Sequence, residues 1–122
     1  MDISVIIVNW NTKDLLRNCL ASIRETVKET DYEIIVVDNG SGDGSVDMLH
    51  AEYPSVHVIE NGQNLGFAAA NNRGFSVMKG GYALLLNTDA VLTENAVAEL
   101  FGFMEKNPEA AMVCGQLLNA DG

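Results

Sequence analysis

The chain is short of positive charge. Seven Lys and Arg stand against 17 Asp and Glu, a formal charge of −10 over 122 residues. A surface of that sign repels polyanions, so nucleic acid and anionic lipid are not expected partners. No apolar run approaches the ~20 residues that a membrane span requires. The Met-Asp start carries no basic segment of the kind that opens a signal peptide. Cysteine is scarce as well. Cys19 and Cys114 lie far apart with no Cys/His cluster, which speaks against zinc and for a reducing compartment. Low-complexity linkers and solenoid repeats are missing. What remains is a globular composition, 48% apolar and 20% charged. A single domain of this length buries roughly two-thirds of its unfolded surface without disulfides or metal.

Short apolar, β-branched runs alternate with helical patterns. Ile3 to Val8 reads as a strand buried on both faces, and Leu16, Leu20, Ile23 and Val27 give helical spacing over 13–28. A second strand spans 33–37 and ends at Asp38. Ser45 caps a short helix to Glu52, and Pro54 stops it. A third strand covers 56–59. An Ala-rich helix covers 67–78, and a fourth strand runs from Tyr82 to Leu86. Thr93 caps a helix to Lys106, and Met112 to Leu118 forms a fifth strand. Such alternation predicts an α/β fold: an open, mostly parallel sheet with helices on both faces. The chain stops in a turn just after a strand, so a truncated domain is expected.

In sheets of this kind, ligands bind at the carboxyl ends of the strands. Polar residues gather there: Asn9 and Asn11 after strand one, Asp38 and Asn39 after strand two, Asn87 and Asp89 after strand four. Each has two readings. Asn9 and Asn11 suit a helix cap or a ligand contact. Asp38 suits an Asx-turn or a ligand acceptor. Asp43, in Gly-Asp-Gly, reads as a turn residue. Asp89 leaves a buried strand for a polar turn, where it can cap the turn or hold a divalent cation bridging phosphate oxygens. The glycines at 40, 42 and 44 do not form a dinucleotide fingerprint. In Asn64 to Gly74, three alanines allow close helix packing, and Asn71, Asn72 and Arg73 share a helical turn. Arg73 reaches a phosphate or lies in solvent. Trp10 stacks on a base or fills a crevice. His50 and His57 read as structural, and both cysteines as core thiols.

Four segments together resemble family 2 glycosyltransferases of the GT-A, Rossmann-like fold. They are Val5 to Asn11, Ile35 to Ser45, Asn64 to Gly74 and Leu84 to Ala90. The Asn-Leu-Gly-Phe and Asn-Thr-Asp-Ala runs are most similar to a bacterial branch with rhamnosyltransferases of polysaccharide assembly. The resemblance implies the N-terminal, nucleotide-sugar-binding part of an enzyme. It would move a sugar from a UDP- or dTDP-linked donor to a saccharide or lipid-linked acceptor, with inversion. It places Val8, Asn9 and Asn11 beside the base and Asp38 on the pyrimidine. Asn64, Gly66 and Asn72 border the nucleoside and sugar, and Arg73 and Asn87 complete the substrate contacts. Asp89 becomes the ligand of Mg²⁺ or Mn²⁺, because Asn87 stands where the family's Asp-x-Asp motif has its first aspartate. The general base is expected beyond Gly122; Glu94, Glu99, Glu105 and Glu109 read as solvated. Self-association through a bare cleft edge is also expected. So is a cytoplasmic location, with the inner membrane face as the alternative for a full-length protein. Two other classes are a nucleotide-sugar-binding module without turnover and a phospho-receiver. The receiver lacks its acids after strand one and its lysine after the last strand.

Overall fold

The computed structural model describes residues 2–27, 30–92, 102, 105–106 and 118–119. The element order is β1 (Ile3–Asn9), α1 (Lys13–Thr26), β2 (Tyr32–Asp38), α2 (Ser45–Glu52), β3 (His57–Glu60), α3 (Phe67–Val77), β4 (Tyr82–Leu86), β5 (Ala90–Val91) and β6 (Leu118–Asn119). Four strands form one parallel sheet in the order β3-β2-β1-β4. The chain therefore builds outward from β1 through β2 to β3, then returns to place β4 on the other side of β1. β5 and β6 pair antiparallel in a separate two-stranded ribbon.

Strand alternation sorts the apolar residues onto two faces. Ile3, Val5 and Ile7 of β1 and Val36 of β2 pack with Leu16, Cys19, Leu20 and Ile23 of α1 and with Met48 and Leu49 of α2. Ile6, Ile35 and Val37 face the opposite way and pack with Ala70 of α3. Helices thus cover both faces, which is why β1 and β2 are apolar almost without interruption. The same pleat fixes the site. Asn9 pairs with Asp38 in the β1–β2 register, as the last residues of their strands.

The expected elements are present with shifted ends. The first helix stops at Thr26, with the Val27 N–H closing onto the Ile23 carbonyl. The third strand starts one residue later than the apolar run suggests, and α3 ends at Val77. Ser45 is the first residue of α2 and not its cap, a place taken by Gly44 at φ +85°. The helix expected over 93–106 lies mostly outside the described residues, although Gly102, Glu105 and Lys106 are helical. The strand expected over 112–118 also lies outside them, except Leu118, which begins the antiparallel β6.

Close packing of α3 comes from a glycine more than from the alanines. Ala68 and Ala69 are exposed, and only Ala70 is buried. A Cβ on Gly74 would stand 2.7 Å from Cγ2 of Ile6, a side chain wholly buried and branched at Cβ. Gly74→Ala gains up to about 1 kcal/mol of helix propensity. Overpacking against a rigid neighbour takes away about 1–3 kcal/mol. We expect a net loss near 1 kcal/mol in urea unfolding, and a stabilised variant would show that α3 can move off the sheet freely.

Candidate functional site

The sheet order places a topological switch point between β1 and β4, the position where open α/β sheets form a ligand crevice at their carboxyl ends. The loops after β1, β2 and β3 meet on one side of it. The turn after β4 stands on the other.

Asp38 organises the first group. Its side chain is 3% exposed, so its charge needs partners. Oδ1 accepts from Asn9 Nδ2 at 2.9 Å and from the Ser41 hydroxyl at 2.7 Å. Oδ2 accepts from the backbone N–H of Gly40 at 3.2 Å and of Ser41 at 2.9 Å. Four donors fill the four lone-pair directions of one carboxylate. The turn they require carries Gly40 at φ +85°, where a Cβ would also meet the backbone of Gln63 at 3.0 Å. Glycine is needed there on both counts.

Asn9, fully buried, spends its remaining groups on the same cluster. Nδ2 also donates to Ser41 Oγ at 3.2 Å, and Oδ1 accepts from the Thr12 hydroxyl at 2.8 Å. Asn11 takes a left-handed backbone, φ 54°. Its N–H donates to Ser41 Oγ at 2.9 Å, and its Oδ1 accepts from the Gly42 N–H at 2.8 Å. Neither asparagine caps α1. Asp43 does so: Oδ2 accepts from the Lys13 N–H at 3.0 Å, while Oδ1 accepts from the Ser45 N–H at 3.1 Å and its hydroxyl at 2.5 Å. Burial pushes the Asp43 carboxyl up, but these hydrogen bonds outweigh it and hold it below the ordinary value. A lowered carboxyl stabilises the fold at neutral pH. That contribution is lost as pH falls through the lowered value.

The loop after β3 is fastened through Asn39. Its Nδ2 donates to Asn64 Oδ1 and to the Gly66 carbonyl, both at 3.3 Å, and its Oδ1 accepts from Asn61 Nδ2 at 2.7 Å. Asn64 Oδ1 also accepts from the Gly66 N–H at 2.9 Å. A shallow groove of about 470 Å³ opens beside this cluster, with Asp38, Ser41, Gly42, Glu60 and Gly62 in its wall.

Across the switch point, the Asn87 carbonyl accepts from the Ala90 N–H at 3.1 Å and closes a turn. The Thr88 and Thr12 hydroxyls are hydrogen-bonded at 3.1 Å, which links this turn to the β1 loop. Asn87 and Asp89 are exposed. Among the described residues, no three His, Cys, Asp or Glu side chains gather as a metal site. Cys19 lies buried beneath the turn, its thiol 3.8 Å from the Asn87 carbonyl. Burial, with the charge of Asp89, pushes that thiol up to about 12. It is a neutral core group.

The sequence profile described as "Glycosyl transferase family 2" matches residues 4–121. The chain belongs to glycosyl transferase family 2. It is 34% identical to a poly(ribitol-phosphate) beta-glucosyltransferase of Bacillus spizizenii, over all of this chain and 20% of that protein. Among solved structures it resembles S. aureus TarS (residues 1–349) in complex with UDP-GlcNAc. The TM-score is 0.78 at 20% identity, over 88% of this chain and 32% of that one. It also resembles the mannosyltransferase PcManGT of Pyrobaculum calidifontis in complex with GDP-Man and Mn²⁺. That match has a TM-score of 0.69 at 24% identity, over 79% of this chain and 30% of that one. These matches establish a GT-A-like fold. The chain spans about a fifth to two-fifths of the length of the first curated relatives it matches.

The fold brings Asn9, Asn11, Asp38, Asn64 and Gly66 into one hydrogen-bonded region at the strand ends, while Val8, one residue before Asn9, packs against the apolar cluster under α3. Asn87 and Asp89 flank Thr88, whose hydroxyl bond to Thr12 ties the β4 turn to the hydrogen-bonded region. Asn72 and Arg73 are not drawn in. Both are exposed on α3, and the Ser76 hydroxyl donates to the Arg73 carbonyl at 2.7 Å, a bond within the helix that leaves the guanidinium uninvolved. His50 and His57 are exposed, not built into the core. Trp10 is 52% and Phe67 57% exposed at the same end of the sheet. Ser41 and Asn61 are site residues that periodicity does not reveal. The dense run of Asp, Asn, Gly and Ser over 38–45 is the available signal, since short polar side chains bond to nearby backbone.

Removing the Asp38 carboxylate strands three N–H donors and a hydroxyl, the Asn9 amide buried and the others in a half-buried turn. Asp38→Ala is expected to lose about 3 kcal/mol in urea unfolding. A loss under about 1 kcal/mol would mean that water replaces the carboxylate fully.

Proposed function

We propose that residues 1–122 form the donor-binding domain of an inverting glycosyltransferase. It would transfer a sugar from a UDP- or dTDP-linked donor to a saccharide or lipid-linked acceptor. One observation carries the reading. The hydrogen-bonded loops around Asp38 and the Asn87–Asp89 turn flank the switch point between β1 and β4, so a base on one side and a diphosphate on the other span the crevice. The complexes of TarS with UDP-GlcNAc and of PcManGT with GDP-Man support a nucleotide sugar.

Val8, Asn9 and Asn11 line the base in this reading, and the exposed Trp10 ring offers it a stacking face. Asp38 receives the imide N–H of uracil or thymine. Its acceptor positions are full, so the base takes the place of the Ser41 hydroxyl at Oδ1, a donor that can rotate away. Asn64, Gly66 and Asn72 border the nucleoside and sugar, and Arg73 approaches the phosphates. Asp89 and the amide oxygen of Asn87 suit Mg²⁺ or Mn²⁺: both are hard oxygen donors, and such ions bind through one or two carboxylates with substrate phosphates as the other ligands. A metal held there supplies positive charge to the departing diphosphate. The chain's own residues bind, orient and exclude water. The base that deprotonates the acceptor hydroxyl is not among them, and we place it, with the acceptor wall, in further sequence. A cytoplasmic setting suits the buried free thiol of Cys19.

Calorimetry on the intact natural protein containing this chain tests the reading. UDP is expected to bind at least roughly tenfold more tightly than CDP, because CDP lacks the imide donor and a charge-assisted hydrogen bond contributes about 1.5–3 kcal/mol. Equal affinities would overturn the assignment of Asp38. Asp89→Asn is expected to abolish the Mn²⁺-dependent part of UDP binding while leaving the melting temperature unchanged. Unaltered Mn²⁺ dependence would move the metal elsewhere.

A further inference from the structure

Both helices that start beneath the proposed base site lack a cap of their own. Thr12, the cap residue of α1, makes no side-chain cap bond, and Gly44, the cap residue of α2, has no side chain. Helix starts leave backbone N–H groups unsatisfied and carry partial positive charge. One residue answers both. Asp43 accepts through Oδ2 from the Lys13 N–H at the start of α1 and through Oδ1 from the Ser45 N–H at the start of α2.

A carboxylate is short and planar, so this double cap sets how far apart the two helix starts can lie. The segments just ahead of those starts are 10–12 and 40–44. They are also the segments joined by Asn11 to Ser41 and Gly42. Three glycines at 40, 42 and 44 leave the second segment free to drift unless something outside its own backbone holds it. We propose that Asp43 is a positioning residue for the nucleotide site. By capping α1 and α2 with one carboxylate, it fixes the spacing between the Trp10–Thr12 and Gly40–Gly44 segments and so sets nucleotide affinity without touching the nucleotide. The inference rests on the donor-binding reading given above.

The test is UDP calorimetry in the presence of Mn²⁺ on the intact natural protein and three variants. In Asp43→Ala, Kd for UDP is expected to rise roughly tenfold, the effect of losing a helix cap felt at the site. Asp43→Asn keeps one amide oxygen and loses one acceptor, so its Kd is expected between the two. Leu20→Ala, in the core face of α1, serves as a control for stability alone: its melting temperature falls while its Kd stays that of the unsubstituted protein. A purely structural role for Asp43 would lower the melting temperature or the binding stoichiometry and leave Kd alone, and that result would overturn the proposal. Failure of both Asp43 variants to fold would overturn it too, because the residue would then hold the fold and not the loop spacing. If the unsubstituted protein binds no UDP, the donor-binding reading fails first and this inference falls with it. Tight UDP binding that Asp43→Ala leaves unchanged removes this inference only.

Discussion

A buried carboxylate at the end of a parallel strand is the constraint on which this structure turns. Asp38 ends β2 in register with Asn9 at the end of β1, at 3% exposure. An ion so placed is tolerated only when hydrogen bonds replace its water. Supplying those bonds decides the local sequence. Asn9 must be an amide, residue 41 must offer both an N–H and a hydroxyl, and residue 40 must turn with positive φ. That turn brings Gln63 against Gly40, and Asn39 then clamps the next loop. Three loops that would otherwise fray are ordered by the need to satisfy one charge. Order imposed in advance is what a ligand site needs, since binding then leaves less entropy to lose.

The second half of the proposed site is built differently. The β4 turn is tied to the β1 loop through the Thr12–Thr88 hydroxyl pair, and Asn87 and Asp89 on either side of Thr88 are exposed. In the proposed reading the molecule thus joins a firmly held base side to a lightly held phosphate side. This division suits a donor whose base is recognised by shape and hydrogen bonds and whose diphosphate is held by charge. It also suits an acidic chain: near the strand ends, the described side chains include Asp38, Asp43, Glu60 and Asp89, and the first two are consumed by internal hydrogen bonds.

How much was legible in the sequence follows from the range of the interactions concerned. Strands β1 and β2 announce themselves because burial on both faces leaves mostly apolar residues, β4 because Ala83 to Leu86 is an unbroken apolar run even though Ala83 and Leu85 are exposed, and α1 because its stripe is regular. The switch point follows from topology rules once those are placed. The ends of β3 and α3 are less legible. An exposed four-residue strand carries little pattern, and α3 packs through Gly74, a residue that propensity counts against a helix. The antiparallel pairing of Ala90–Val91 depends on residues 118 and 119, far along the chain, which no local window contains. Within the site, the positions were legible and the partnerships were not. Asp43 reads as a turn residue locally, and its double cap exists only because α1 and α2 start side by side.

The asparagine at position 87 has a physical consequence for how metal and nucleotide would enter. Two carboxylates at a turn hold a divalent ion before substrate arrives. One carboxylate with a neutral amide holds it weakly and leaves more of its charge unneutralised. In the proposed reading, most of the ion's oxygen ligands then come from the diphosphate. Metal and nucleotide affinities become strongly and reciprocally coupled, since each completes the site of the other. In that reading an exposed Asp89 beside a neutral Asn87 would not be a degraded metal site. It would shift selectivity from the ion alone to the ion–diphosphate pair, and it would leave the loops ordered around Asp38 to decide which nucleotide that pair belongs to.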